Sequence, residues 1–206
     1  MRGVTKNCRG RDAAGRGDAG RHPDTVGALC LDECGYPRWP EVAPTWGLEA
    51  AVAQHAGNTQ HWRTIGALTA VTGQVHYVDG YIVGRQQVSA FYPQLDRAYP
   101  AVDLRYVIQD NWTIHTHPDV LATLARYPRI KPVWLPTSAP WLKPIEKLWR
   151  WRRQDVLQMH RWVEDWPLVK QRVRDFLDQF AHGSQDLLRY VGLVGKGKLA
   201  TVINTS

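Results

Sequence analysis

Tyr106-Val-Ile-Gln-Asp110-Asn111 ends an apolar run on a carboxylate, and Lys143-Pro-Ile-Glu146-Lys-Leu-Trp149-Arg-Trp151 opens a helix with another carboxylate in its first turn. A short apolar run bounded by turn residues reads as a buried strand, and proline suits the first helical position. A third acid, Asp32, follows the earlier run Val26-Gly-Ala-Leu-Cys-Leu31. If the two runs are neighbouring strands, Asp32 and Asp110 emerge side by side at one sheet edge, where open α/β sheets bind their ligands. Two such carboxylates repel one another unless a cation lies between them. Glu146, on a helix packed against the same edge, completes an all-oxygen cage of the kind that hard Mg²⁺ or Mn²⁺ prefers. Two ions about 3.5–4 Å apart suit in-line displacement at phosphorus, one activating a water or a DNA 3′-hydroxyl and the other stabilising the leaving oxygen.

Each acid also has a plainer role. Asp32 can end a strand, Asp110-Asn111 can form an Asx turn, and Glu146 can favour the helix dipole or pair with Arg150 four residues on. Glu33 rivals Asp32, because alternation along a strand sends the two in opposite directions and the register decides between them.

Working outward, Val26 to Leu31, Trp62 to Val71 and Gln74 to Val78 read as three early strands, the last two joined at Thr72-Gly73. Pro37, Pro40 and Pro44 mark the connection after the first of them. Val88, Phe91, Tyr92, Leu95 and Tyr99 repeat at helical spacing. The strand Leu104 to Ile108, a helix marked by Val120, Leu121, Leu124 and Tyr127, and the strand Ile130 to Leu135 follow. Two longer helices close the pattern, one beginning at Pro144 and one after Pro167. The order predicts an α/β layer fold with a mixed sheet, three antiparallel strands followed by parallel ones, flanked by helices.

At 206 residues the chain suits one main domain, and its formal charge of +7 favours a polyanionic partner. Residues 1–26 combine six arginines and lysines with five glycines and little that is apolar, which reads as a disordered basic arm, either touching DNA or a plain tail. Residues 196–206 read as a flexible tail. The three cysteines form no paired C-x-x-C unit, which argues against a zinc site and a disulfide framework and fits a reducing cytosol. No run approaches a membrane span. His115, His117, His55 and His61 lack zinc spacing. Between Lys143 and Arg174 nine Lys/Arg face four acids, an excess suited to DNA phosphates, with Lys143, Lys147, Arg150 and Arg153 the candidates. Several of the ten tryptophans lie among these charges, as stacking surfaces or as core.

Leu31-Asp-Glu-Cys-Gly-Tyr36, Gln109-Asp-Asn-Trp-Thr-Ile-His115 and Leu135-Pro-Thr-Ser-Ala-Pro-Trp-Leu-Lys-Pro-Ile-Glu-Lys-Leu-Trp-Arg-Trp151 resemble the three catalytic blocks of mariner-like bacterial insertion-sequence DDE transposases. The resemblance runs from about residue 28 to 193, and its third block is highly specific. The 35 residues between Asp110 and Glu146 match the short second spacing of that group. It implies a ribonuclease-H-like catalytic domain over 27–195, with Asp32, Asp110 and Glu146 as first, second and third metal ligands. Asn111 and His115 then give polar support beside the second acid. The implied activity is Mg²⁺- or Mn²⁺-dependent DNA strand cleavage and strand transfer at transposon ends. The implied partners are double-stranded DNA, at the ends and the target, and a second copy in a homodimeric complex in the bacterial cytosol. Similar sequences carry N-terminal helix-turn-helix units, so a truncated copy, active or catalytically silent, is expected. A ribonuclease-H-like nuclease acting on RNA–DNA hybrids shares the same triad chemistry. Lys143 stands where similar sequences usually have Asn, and Trp112 where a small residue is more common. Contact with a phosphate and intrusion of a cation on the metal site both remain open for Lys143.

Overall fold

The computed structural model describes residues 25–40, 60–136, 143–158 and 160–194. The basic arm up to residue 24, the connection through Pro44, His55, the loop 137–142 and the tail from 195 lie outside the described residues. Five strands form one sheet: β1 (Val26–Pro37), β2 (His61–Thr69), β3 (Val75–Gly80), β4 (Leu104–Gln109) and β5 (Ile130–Trp134). Their order is β3-β2-β1-β4-β5, with β1, β2 and β3 antiparallel and β4 and β5 running parallel to β1. This is the mixed sheet that the pattern predicts.

Alternation along β1 divides the interior. Leu29 and Leu31 face one layer, which holds Val88, Phe91, Tyr92 and Leu95 of α1 (Arg85–Ala98) and Val120 and Leu124 of α2 (Pro118–Ala125). Cys30 and Tyr36 face the other, built by α3 (Ile145–Arg152), α4 (Trp166–Asp178) and α5 (Gln185–Val191). Each fully buried aliphatic or aromatic side chain contributes about 1.5–3 kcal/mol, so these two cores hold the helices to the sheet.

Three features depart most from the sequence reading. β1 does not stop at Leu31 but continues to Pro37, because Glu33 to Pro37 pair with Ile65 to His61 of β2. Glycine and proline point to a turn there; Pro37 is the last residue of the strand, where a missing N–H is tolerated. α3 passes into a π-helical turn over Arg153–Leu157 that buries Val156 and Leu157. α5 is absent from the sequence reading, since seven residues are too few to show a period. Its signals are local: the Ser184 hydroxyl accepts from Leu187 N, and Gly192 ends the helix in the left-handed conformation.

The β2–β3 connection is fixed to the turn before α5. Ser184 N donates to Thr72 O at 2.9 Å. Gly73 and Gly183 both have positive φ, and a Cβ on Gly183 would lie 2.7 Å from Thr72 O. The two backbones approach this closely only because both residues lack side chains.

Candidate active site

β1 and β4 pair in parallel from Val26↔Leu104 to Cys30↔Ile108. Two residues further on, β1 continues as a strand while β4 has ended, so Asp32 and Asp110 sit at the same edge in different backbone settings. Asp32 is 8% exposed and faces the α3 side, where Gly66 of β2 is its cross-strand partner. Asp110 begins an Asx turn, its Oδ1 accepting from Trp112 N at 3.2 Å. The turn reading of Asp110 and its place at the sheet edge hold together.

Glu146 lies in the first turn of α3 and meets both aspartates at a single atom. The Lys143 ammonium donates to Asp32 Oδ1 at 2.6 Å and to Asp110 Oδ2 at 3.1 Å, and it lies 3.7 Å from Glu146 Oε1. Three carboxylates from β1, the end of β4 and the start of α3 thus surround one nitrogen. The ion pair of Glu146 is with Lys143 and not with Arg150, which is exposed. The second oxygen of Asp32 is also held, by Trp149 Nε1 at 3.0 Å. Trp149 lies three residues after Glu146, on the adjoining turn of the helix.

Burial pushes the Asp32 carboxyl up to about 6, against the hydrogen bond and charge of Lys143, while Glu33 and Glu146 add repulsion. Burial also works against the Lys143 ammonium, but hydrogen bonds and attraction from Asp32 and Asp110 outweigh it and raise its pKa above the ordinary lysine value. Both groups are charged at neutral pH. The donor set fits a hard cation, three carboxylates being what such an ion takes, and in this structure it holds the chain's own ammonium.

Glu33 points to the opposite face, as strand alternation requires, and meets His115 instead. His115 Nε2 lies 3.3 Å from Glu33 Oε1 and 3.6 Å from Asp110 Oδ1. Ligand atoms of Glu33, Asp110 and His115 all lie within 4.8 Å of one another. His115 is fully buried, with Trp112 edge-on to it at 5.6 Å and Trp134 at 6.3 Å. Asn111 is exposed. A cleft of about 220 Å³ opens over the site, lined by Asp32, Glu33, Cys34, Arg63, Asp110 and Trp112. Burial pushes the Cys34 thiol up to about 11, Arg152 opposing, so the cleft offers no thiolate at neutral pH.

Of the four basic residues expected on phosphates, Lys143 and Lys147 make contacts within the fold. Lys143 is only 5% exposed, so it presents no charge to DNA in this structure. Lys147 Nζ donates to Val191 O at 2.9 Å and closes the end of α5. Arg150 and Arg153 are exposed. Two tryptophans of this segment pack inward: Trp149 is buried against Gly66, and Trp151 lies against Phe176, Phe180 and Tyr190. Trp162 lies under Arg172, 3.7 Å from ring centroid to guanidinium. Sequence reasoning assigns no role at the site to Trp149 or Gly66. Spacing from Glu146 can suggest the first, but only the β1–β2 register reveals the second.

Among the described residues no helix is long and apolar enough to cross a membrane. The chain is 24% identical over 141 residues to an insertion element IS630 uncharacterized 39 kDa protein from Shigella sonnei, covering 68% of this chain and 41% of that protein. Its fold matches the Mos1 mariner paired end complex with Mn at a TM-score of 0.59 and 15% identity, over 85% of this chain and 53% of that one. It matches the catalytic domain of Mos1 mariner transposase at a TM-score of 0.53 and 14% identity, over 80% and 75% of the two chains. The fold is therefore the ribonuclease-H-like mixed sheet expected from the three motif blocks, and the chain spans about half the length of the longer relatives it matches. The signature of the DDE superfamily endonucleases covers residues 28–166, more than half of the chain, and this protein belongs to that family.

Proposed function

We propose that this chain is the catalytic domain of a transposase that cuts DNA strands at transposon ends and joins the freed 3′-hydroxyl to target DNA. The observation that carries the reading is the meeting of Asp32, Asp110 and Glu146, from three separate elements, on one cationic nitrogen. Asp32, Asp110 and Glu146 would hold Mg²⁺ or Mn²⁺, two ions in the full site. Bound there, the metal would activate the attacking oxygen and stabilise the leaving one. The protein's own contribution is positional. Trp149 fixes Asp32, the Asx turn fixes Asp110, and the Glu33–His115 pair borders the same Asp110 oxygen that closes the turn. Arg63, Arg150 and Arg153 are among the exposed cations suited to DNA phosphates, and two copies would bring two ends together. The Mos1 mariner paired end complex with Mn, similar in fold, supports the assembly and the metal by analogy.

Asp110→Asn and Glu146→Gln should each abolish Mg²⁺-dependent cleavage of transposon-end DNA while leaving the melting temperature close to that of the parent. Cleavage retained in either variant removes the assignment. A second reading, a catalytically silent remnant that only binds DNA, is favoured by one observation, the ammonium at the centre of the trio. Strand cleavage by the purified protein, supplied with a DNA-binding domain in trans, would count against it. Comparing an RNA–DNA hybrid with duplex DNA separates the transposase from a hybrid-specific nuclease.

A further inference from the structure

The geometry points to Lys143 as a tethered cation that occupies the position of a divalent ion, so that ion binding must displace its side chain and Lys143 sets the affinity of the site. The inference rests on the proposed metal-binding role of the acidic trio.

Three features carry it. The Lys143 nitrogen is the common neighbour of all three carboxylates, at 2.6, 3.1 and 3.7 Å. An ion bound to the same oxygens at roughly 2.0–2.6 Å would fall almost on top of the ammonium, and two like charges cannot share that volume. The side chain is also buried, 4% exposed, in a sheet-edge site of fixed members, so it is no loose surface lysine.

The attachment allows displacement without unfolding the site. The Lys143 backbone is held by its carbonyl, which accepts from Glu146 N at 3.1 Å at the start of α3. The ammonium, by contrast, stands at the end of a flexible four-carbon stem. It can leave the carboxylates while the helix start stays in place. Asp32 keeps its second hydrogen bond, from Trp149, when Lys143 departs. A competing cation held by charge-assisted hydrogen bonds weakens entry of another, and removing it strengthens entry.

The test is a titration of the full chain with Mn²⁺, counting free ion by electron paramagnetic resonance, for the parent, Lys143→Asn and Lys143→Met. Both Lys143 variants should bind Mn²⁺ at least about tenfold more tightly than the parent. Mn²⁺ should also raise their melting temperature by more than it raises that of the parent. Equal or weaker binding in the two variants overturns the inference. Where loss of the ammonium unfolds a variant, folding restored by Mn²⁺ supports the inference, and a chain still unfolded at saturating Mn²⁺ overturns it. Asp32→Asn and Glu146→Gln separate this result from the underlying reading. If they bind Mn²⁺ as the parent does, the trio is not the metal site and the proposed function fails with the inference. If they lose Mn²⁺ while the Lys143 variants gain nothing, the inference alone fails.

Discussion

Trp149 Nε1 donates a 3.0 Å hydrogen bond to Asp32 Oδ2, a contact between α3 and β1 across 117 residues of sequence. It joins the third motif block to the first inside the core. One indole thus has two duties, filling the layer between sheet and helices and holding the buried aspartate in one orientation. The other oxygen of Asp32 is thereby directed at the site.

Trp149→Phe removes the donor and trims the ring. Asp32 is left with an unmatched buried oxygen, and the smaller side chain leaves a void, so the variant should be about 2–4 kcal/mol less stable. Urea denaturation measures this. A loss under about 0.5 kcal/mol would show that the bond contributes nothing to the fold.

Gly66→Ala acts on the same contact from the other side. A Cβ at Gly66 would stand 2.6 Å from Trp149 Cη2, and Gly66 is the cross-strand partner of Asp32. The indole must shift, at a cost of about 1–3 kcal/mol. In a Trp149→Ala background the same substitution should be close to neutral. A double-mutant cycle reads the coupling directly, and additive effects would place the strain elsewhere.

Stability should fall on mild acidification. His76 and His160 are held below the ordinary histidine value, each chiefly by burial, with a smaller opposing effect of the Arg38 backbone on His160. Nδ1 of His160 accepts from Trp162 N, which a protonated ring cannot do. A depressed histidine binds fewer protons folded than unfolded. Its contribution is complete above about pH 6.5 and is lost as pH falls toward the lower folded value. Asp32, pushed up to about 6, contributes with the opposite sign below that pH, so the window to read is about pH 7.5 to 6. Melting temperature should drop across it, and replacing both histidines with glutamine should flatten the slope. An unchanged slope in the double variant would mean that other groups carry it.

Much of the fold is legible because strands and long helices write a period into the chain. Leu104 to Gln109 and Arg85 to Ala98 follow their apolar patterns to within a residue. β1 reads short because Gly35 and Pro37 look like a turn, and pairing with β2 outweighs that local preference. α5 escapes the pattern because it is held by a serine cap and a glycine stop and is too short for a repeat. At the site, residue type and motif order point to Asp32, Asp110 and Glu146. Strand alternation alone leaves Asp32 and Glu33 open, and the register is what sends Asp32 to Lys143 and Glu33 to His115.

The sequence by itself determined the class of fold, through the periodicity of its strands and helices, and the resemblance of its three motif blocks pointed to the family and to the acids worth watching. Tertiary structure alone decided that Lys143 turns inward onto the three carboxylates, that Trp149 anchors Asp32, and that Gly66 makes room for it. Those contacts join residues up to more than a hundred positions apart. They exist only once strand register and helix packing have fixed which side chains share a low-dielectric pocket, where a few ångströms decide whether a lysine meets solvent or three carboxylates.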